Sequence, residues 1–219
     1  MDIRKVEKAY NILTKHDVMD RLSVVFGIYK PMDKHQFVAQ IIANNDWISK
    51  IHVFLDMDNT LVRFSYGKSD DIDVLERCLQ TGFYENLDPM KNIDIYEALM
   101  LIGVNVHILS ACVSTASCKE EKLKSLKKHM PFILKKQVIF CNVGENKAEC
   151  AKKRAHLDNL EYAVLVDDWK GNLLAWQSLG GIAIKKAMSY KTRPYPTLLD
   201  HRDAVDMILS LVKEKINFN

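Results

Sequence analysis

Two pairs of aspartates stand out in this sequence, because each pair directly follows a short apolar segment. Asp56 and Asp58 follow the apolar residues 53–55, and the adjacent Asp167 and Asp168 follow a second apolar run. A carboxylate can attack phosphorus as a nucleophile, and a second carboxylate can act first as an acid and then as a base. Further carboxylates can hold Mg²⁺, which prefers oxygen ligands and usually keeps waters and a phosphate. These residue types are suited to phosphoryl chemistry.

A hydroxyl, a lysine and a turn could bind the phosphoryl group itself. Ser110 follows the predicted strand 104–109, and Lys147 lies at the predicted start of a helix. Both side chains can hold phosphoryl oxygens. Asn59 and the residue after it suit a tight turn, whose exposed backbone N–H groups can hold an anion. Each signal is weak alone, since Ser110 could be an ordinary strand-end serine and the second aspartate pair could cap a helix.

The elements that must position these side chains alternate along the chain from residue 51 onwards. The sequence predicts strands at 51–57, 104–109, 138–141, 162–166 and 182–184, and helices at 93–102, 115–129, 147–156, 172–179 and 204–212. This alternation implies an α/β fold with a doubly wound, Rossmann-like parallel sheet. Right-handed crossovers place every strand's carboxyl end at one edge, where open α/β sheets bind ligands. The two aspartate pairs, Ser110 and Lys147 are therefore predicted to meet there.

Two regions lie outside this alternation. Residues 1–50 show apolar positions near a helical period and no catalytic constellation, so they are predicted to be an N-terminal helical extension of a core domain at 51–219. Within them, Asp33 can cap a helix. The insert at about 62–92 is predicted to be a small helical cap, with a turn at 65–68 and a helix at 71–81.

The insert carries four aromatic residues, and two interpretations of them stay open. Phe64, Tyr66, Phe83 and Tyr84 could form the small core of the insert, as buried aromatics commonly do. Alternatively, one or two of them could face the site and stack on a nucleobase.

Composition limits the other classes of function. The net charge of +3 over 219 residues is too small to indicate a nucleic-acid polymer as partner, and the lysines at 119–136 are interpreted as a solvated helix face. The five cysteines lack zinc-ligand spacing, so free thiols in a reducing compartment are expected. The first ten residues do not resemble a signal peptide, and the longest apolar stretch, 98–109, is too short to span a membrane. These features predict a cytoplasmic protein without a membrane partner.

The order of the motifs resembles that of a known superfamily. Asp-x-Asp-Asn-Thr at 56–60, a strand ending in serine, a lysine, and a strand followed by Asp-Asp are similar to the haloacid dehalogenase (HAD) superfamily of phosphohydrolases, over about residues 51–185. Residues 83–90, 95–99 and 106–111 further resemble the 5'-nucleotidases that include the 5'(3')-deoxyribonucleotidases. Three positions differ from that narrower pattern: Asn59 and Thr60 replace a usual Gly-Val, Ala111 replaces a hydroxyl, and Trp169 replaces an arginine.

The resemblance implies a role for each candidate residue. Asp56 would be the nucleophile that forms an aspartyl-phosphate, and Asp58 would protonate the leaving group and later activate water. Ser110 and Lys147 would bind the phosphoryl group, and we place Asn59 and Ala111 beside them in the phosphate-binding set. Mg²⁺ would be held by Asp56, the backbone carbonyl of Asp58, and Asp167 or Asp168.

The sequence thus predicts a Mg²⁺-dependent phosphomonoesterase acting on a small molecule, with 5'-nucleotidase activity on (deoxy)nucleoside monophosphates as the first expectation. A phosphatase of a sugar phosphate or another metabolite is the second. A phosphotransferase using the same aspartyl-phosphate and a non-catalytic HAD-like binding protein are further alternatives. The sequence leaves the oligomeric state open.

Overall fold

The centre of the molecule is a six-stranded sheet in which every pairing is parallel. The computed structural model describes residues 2–28, 33–44, 46–64, 76–113, 115–188 and 194–218. The strands are β1 (His52–Leu55), β2 (Asn105–Cys112), β3 (Val138–Asn142), β4 (Ala163–Asp167), β5 (Ile182–Lys186) and β6 (Thr197–Leu198). They lie in the order β3-β2-β1-β4-β5-β6. The predicted doubly wound α/β class is confirmed.

Helices connect and cover the strands. They are α1 (Ile3–Lys15), α2 (Met19–Phe26), α3 (Lys34–Asn44), α4 (Ile95–Ile102), α5 (Ala116–His129), α6 (Lys147–Arg154), α7 (Lys170–Ser178) and α8 (Ala204–Phe218). Side-chain caps determine where the two helices nearest the site, α5 and α6, begin. The Thr115 hydroxyl accepts from the Cys118 N–H to start α5, and the Asn146 side chain accepts from Ala148 and Glu149 to start α6. Of the helices in the described residues, none has the length and hydropathy of a membrane span.

Successive side chains of a strand point to opposite faces of the sheet, and both faces of this sheet are covered by helices. In β1, Val53 and Leu55 belong to a core cluster shared with α4 and α8, whereas Phe54 belongs to a second cluster shared with α6 and α7. Trp176 of α7 is fully buried in the second cluster, and its indole N–H donates to the Ala163 carbonyl at 3.1 Å. Burial on both faces explains why these strands are nearly continuous apolar runs.

The N-terminal helices pack on the outer side of α4 and α8. Helix α1 lies against α4 and α2 against α8, and Leu13 and Leu22 belong to the same core cluster as Val53. Arg21 also pairs with Asp203 at 2.6 Å. The Asp33 carboxylate accepts from two N–H groups at the start of α3, which confirms the predicted cap. The division into an extension at 1–50 and a domain at 51–219 stays a prediction.

Two features differ from the sequence-based expectation or fall outside what the structure describes. Ser110 was expected after its strand, but β2 continues to Cys112 because residues 110–112 keep pairing with β3. A serine is small enough to occupy an interior strand position, so its polarity did not mark the strand's end. In the insert, the predicted turn at 65–68, Tyr66 and the first part of the helix at 71–81 lie outside the described residues.

Candidate active site

The candidate site lies where the direction of winding changes, between β1 and β4. The Asp56 N–H donates to the Val166 carbonyl at 3.0 Å, so the backbone that follows β1 runs beside the end of β4. Asp167 is the last residue of β4. A cavity of about 650 Å³ opens here, and Asp56, Asp58, Lys147 and Asp168 line it together with Ala111. Parallel strands whose crossovers diverge leave a crevice at this position.

The residues after Asp58 form a tight turn. Asn59 has a φ of 55°, a left-handed conformation that asparagine tolerates better than most residues. Its side-chain oxygen accepts from the Phe64 N–H at 3.1 Å, which ties the turn to the start of the insert. The Asn59 side chain is not among those lining the cavity, and its role in phosphate binding stays a prediction.

A buried histidine holds this turn from behind. His201 Nε2 lies 2.8 Å from the Thr60 carbonyl, and His201 Nδ1 lies 2.7 Å from the Tyr96 hydroxyl. Because a carbonyl can only accept, Nε2 must carry the proton and Nδ1 must accept from the tyrosine. Burial lowers the pKa of His201 to about 4, so the imidazole is neutral near pH 7.

Lys147 bridges the two strand ends at the floor of the cavity. Its ammonium donates to Asp56 Oδ1 at 2.5 Å and to Asp167 Oδ2 at 2.9 Å. All three side chains are almost completely buried. Burial disfavours the charged lysine, but Asp56 and Asp167 outweigh it, so the pKa of Lys147 lies above its ordinary value. Lys147 reaches this position from the first turn of α6, as the sequence predicted.

The second aspartate pair completes an acidic cluster. Oxygens of Asp56, Asp167 and Asp168 lie within 4.8 Å of one another. Burial and the nearby Asp56 carboxylate together raise the pKa of Asp167 to about 6 and that of Asp168 to about 7. A divalent cation would offset this repulsion, and an all-oxygen donor set with room for water in the cavity fits Mg²⁺. The Asp167 carboxylate is also fixed by the Trp169 N–H at 2.7 Å.

Lys122 is a site residue that the sequence-based interpretation missed. Its ammonium is fully buried and donates to Asp58 Oδ2 at 2.7 Å, to Ser110 Oγ at 2.9 Å and to the Ala111 carbonyl at 2.8 Å. It also lies 4.6 Å from the centre of the Tyr84 ring. Ser110 is fully buried and interacts with Lys122, whereas its phosphate-binding role stays a prediction.

A signal for Lys122 was present in the helical period. The lysine-rich stretch was interpreted as a solvated face, yet Lys122 follows Cys118 by four residues and precedes Leu126 by four. On α5 these three residues share one face, and all are buried. Glu121 lies beside them and is buried too. Its carboxylate accepts from the Gly82 N–H at 2.7 Å and from the Tyr84 N–H at 3.1 Å.

The aromatic residues of the insert form a small core of their own. Phe64 and Tyr84 are buried in a cluster with Cys78, and the Phe83 ring lies 5.4 Å from Phe64 and 5.0 Å from Tyr84. The packing of these three rings agrees with the first interpretation, and stacking of one of them on a nucleobase stays a prediction. Phe64 and Tyr84 belong to this cluster and also line the cavity.

Comparison with known proteins bears on the fold. No protein-family model and no curated protein sequence matches this chain. A solved structure described as a "Putative Phosphatase from Clostridium difficile" superposes with a TM-score of 0.50 at 14% identity, covering 72% of this chain and 97% of that one. A haloacid dehalogenase-like family hydrolase from Xanthomonas campestris gives a TM-score of 0.48 at 12% identity, covering 75% and 94%. At these identities the likeness is one of fold alone.

Proposed function

We propose that this protein is a Mg²⁺-dependent phosphomonoesterase that works through an aspartyl-phosphate. The observation that carries the proposal is the joint placement of two aspartates with separate partners in one cavity. Asp56 pairs with Lys147 and belongs to the acidic cluster. Asp58, two residues further along the chain, pairs with Lys122 instead. Separate partners allow two neighbouring carboxylates to take different roles.

In the first half-reaction, a carboxylate oxygen of Asp56 attacks phosphorus. The bond from phosphorus to the ester oxygen breaks, and Asp58 gives its proton to that oxygen, so that an alcohol leaves. Burial raises the pKa of Asp58, and the Lys122 ammonium opposes this effect. A raised pKa suits a carboxyl group that must carry a proton near neutral pH.

In the second half-reaction, the Asp58 carboxylate takes a proton from water. The hydroxide oxygen bonds to phosphorus, the bond from phosphorus to Asp56 breaks, and inorganic phosphate is released. Asp58 Oδ1 is buried and has no hydrogen-bond partner among the described residues, which leaves it available for a proton, a leaving oxygen or a water.

The cations of the site would bind the phosphoryl oxygens. Lys147 already contacts Asp56, so its ammonium is close to where an attacked phosphoryl group would sit. Asp56, Asp167 and Asp168, with the Asp58 backbone carbonyl, would hold Mg²⁺, which neutralises phosphoryl charge when it is bound. Of the two β2 residues in the predicted phosphate-binding set, Ala111 lines the cavity and Ser110 is buried against Lys122.

The substrate that we propose is a nucleoside monophosphate. A cavity of about 650 Å³ lies within the range of pockets for small molecules, about 300–1,000 Å³. Its walls away from the carboxylates include Val113, Val143 and Trp169, so a phosphate bound at Asp56 could carry a largely apolar group.

The test is phosphate release from a panel of phosphomonoesters, with and without Mg²⁺, by the protein and by Asp56→Asn. An amide is a far poorer nucleophile than a carboxylate, so the nearly isosteric variant should lose turnover while remaining folded. Addition of Mg²⁺ to chelator-treated protein should restore activity. Retention of more than a few per cent of the Mg²⁺-dependent rate by Asp56→Asn would refute the proposed mechanism.

A further inference from the structure

Trp169 is the most prominent side chain on the outer wall of the cavity. It follows directly after Asp168, and 67% of its surface is exposed although it lines the same cavity as Asp56. Exposed tryptophans beside an active cavity are unusual, because a large aromatic side chain is normally buried. The other tryptophan near the sheet, Trp176, is fully buried.

The indole ring is braced on one side and open on the other. A Cβ placed on Gly171 would lie 2.8 Å from the indole Nε1 and 3.2 Å from its Cδ1, so the ring rests directly against the glycine backbone. The Trp169 backbone is fixed as well, because its N–H donates to Asp167 Oδ1. Gly171 lies in the first turn of α7 and also lines the cavity. The ring is therefore held in place by α7 with much of its surface free.

The cavity that the ring lines has both apolar and polar walls, with Asn146 and Asn172 among the polar side chains. Val143, which is 68% exposed, and Ala175 line the cavity together with the indole. Glu145 is the acidic residue among the lining side chains outside the catalytic cluster. A negative charge there disfavours a second phosphate, whereas an apolar aromatic face favours a flat ring.

We propose that the Trp169 indole is the stacking platform for the planar base of the substrate. The proposal deepens the proposed function and rests on it, because it names the part of a nucleoside monophosphate that the protein recognises. Binding of the base would cover the free face of the indole while the phosphate lies at Asp56. Phe64 and Tyr84 also line the cavity, but both are buried and their ring centres lie 6.2 Å apart, so the exposed indole offers the more accessible aromatic face.

The test compares substrates that carry a base with one that lacks it. Steady-state constants are measured for the four ribonucleoside 5'-monophosphates and for ribose 5-phosphate, with the wild-type protein, Trp169→Ala and Trp169→Phe. Loss of a stacked base should raise KM for the preferred nucleotide about tenfold, within a range of ~5- to 150-fold. The constants for ribose 5-phosphate should not change. Trp169→Phe keeps a stacking face and should recover most of the loss.

A second variant displaces the ring without removing it. Gly171→Ala places a methyl group against the indole, so the ring must move, while alanine favours the helix more than glycine does. This variant should show the same nucleotide-selective rise in KM and should be at least as stable as the wild type. Leu174→Ala is the matched control, because Leu174 is an exposed apolar residue of α7 outside the cavity.

Intrinsic fluorescence separates this inference from the proposed function. In an Asp56→Asn background, a nucleoside monophosphate should quench emission, ribose 5-phosphate should not, and Trp169→Phe should abolish the quench. Equal changes in KM for both substrates, or a wild-type preference for ribose 5-phosphate, would overturn the inference while leaving the phosphatase intact. A Trp169-dependent quench without hydrolysis of any ester would support the inference and refute the proposed function.

Discussion

Replacement of Lys122 by methionine tests whether a buried cation holds the proposed acid in place. Methionine has a similar length but no charge and no donor, so Asp58, Ser110 and the Ala111 carbonyl each lose a hydrogen bond. Removing one partner of a buried ion pair costs about 3–5 kcal/mol, because the other charge stays behind without compensation. Asp58 is 22% exposed, so water can solvate part of its charge, and we expect a loss of about 2–3 kcal/mol.

The expected loss depends on pH in a defined direction. Burial already places the pKa of Asp58 above its ordinary value, and removal of Lys122 must raise that pKa further. A carboxyl group whose pKa is raised in the folded state destabilises the fold above that pKa, where it must ionise. The deficit of Lys122→Met should therefore be larger at about pH 7.5 than at lower pH, and it should shrink as the pH falls towards the ordinary pKa of aspartate, about 3.9.

The assay is urea unfolding at two pH values, with two comparison variants. Lys124→Met removes an exposed lysine of the same helix, whose pair with Glu85 is solvent-exposed, and should change stability by less than about 0.5 kcal/mol. The double variant Lys122→Met/Asp58→Asn should recover part of the loss, because no unpaired charge remains. A loss no larger than that of Lys124→Met, or an equal loss at both pH values, would refute the reasoning.

Two further predictions concern Asp58 and His201. Asp58→Asn should slow hydrolysis of alkyl phosphates by ~10²–10⁴-fold while the protein still responds to Mg²⁺, since its proton transfer is lost but its backbone carbonyl is kept; an unchanged rate with these poor leaving groups contradicts the role. The pKa of His201 is about 4 in the folded protein and about 6.5 in the unfolded chain. The neutral imidazole therefore contributes about 3 kcal/mol to the free energy of unfolding above pH 6.5, and this contribution is lost as the pH falls through 4. His201→Gln should flatten the decline of unfolding free energy over this interval, and identical pH slopes for both proteins would exclude the assignment.

The order of elements could be predicted because it depends on local patterns. Apolar runs, helical periods and punctuating glycines such as Gly103 are contained within a few residues. The end of β2 could not be predicted in this way, because it depends on how far β3 continues alongside. Pairing of that kind is a property of two distant segments, and the polarity of Ser110 gives no information about it.

The candidate site was predictable where a residue follows a strand. Asp56, Asp58, Lys147 and the second aspartate pair were all placed correctly at one edge by the topology rule. Lys122 reaches the candidate site from the interior of α5. His201 contacts the turn at Thr60 from a 3-10 helix (His201–Asp203), which lies 141 residues further along the chain. Both residues are brought to the site by tertiary packing, which local sequence patterns do not show. A lysine within a lysine-rich helix is expected to be solvated unless the helix face that carries it is recognised as buried.

Glu121 has a consequence for the pace of the reaction. By accepting from the Gly82 and Tyr84 N–H groups, it anchors the later part of the insert to the same helical turn that carries Lys122. If this part of the insert moved away from α5, the buried Glu121 carboxylate would lose both hydrogen bonds, at a free-energy cost of several RT. Residues 82–84 should therefore stay seated on α5 through each cycle of the proposed reaction, so that diffusion of ligands past Trp169 and Val143, rather than movement of this segment, sets how quickly product escapes. Turnover of a fast substrate should then respond to solvent viscosity only as simple diffusion does.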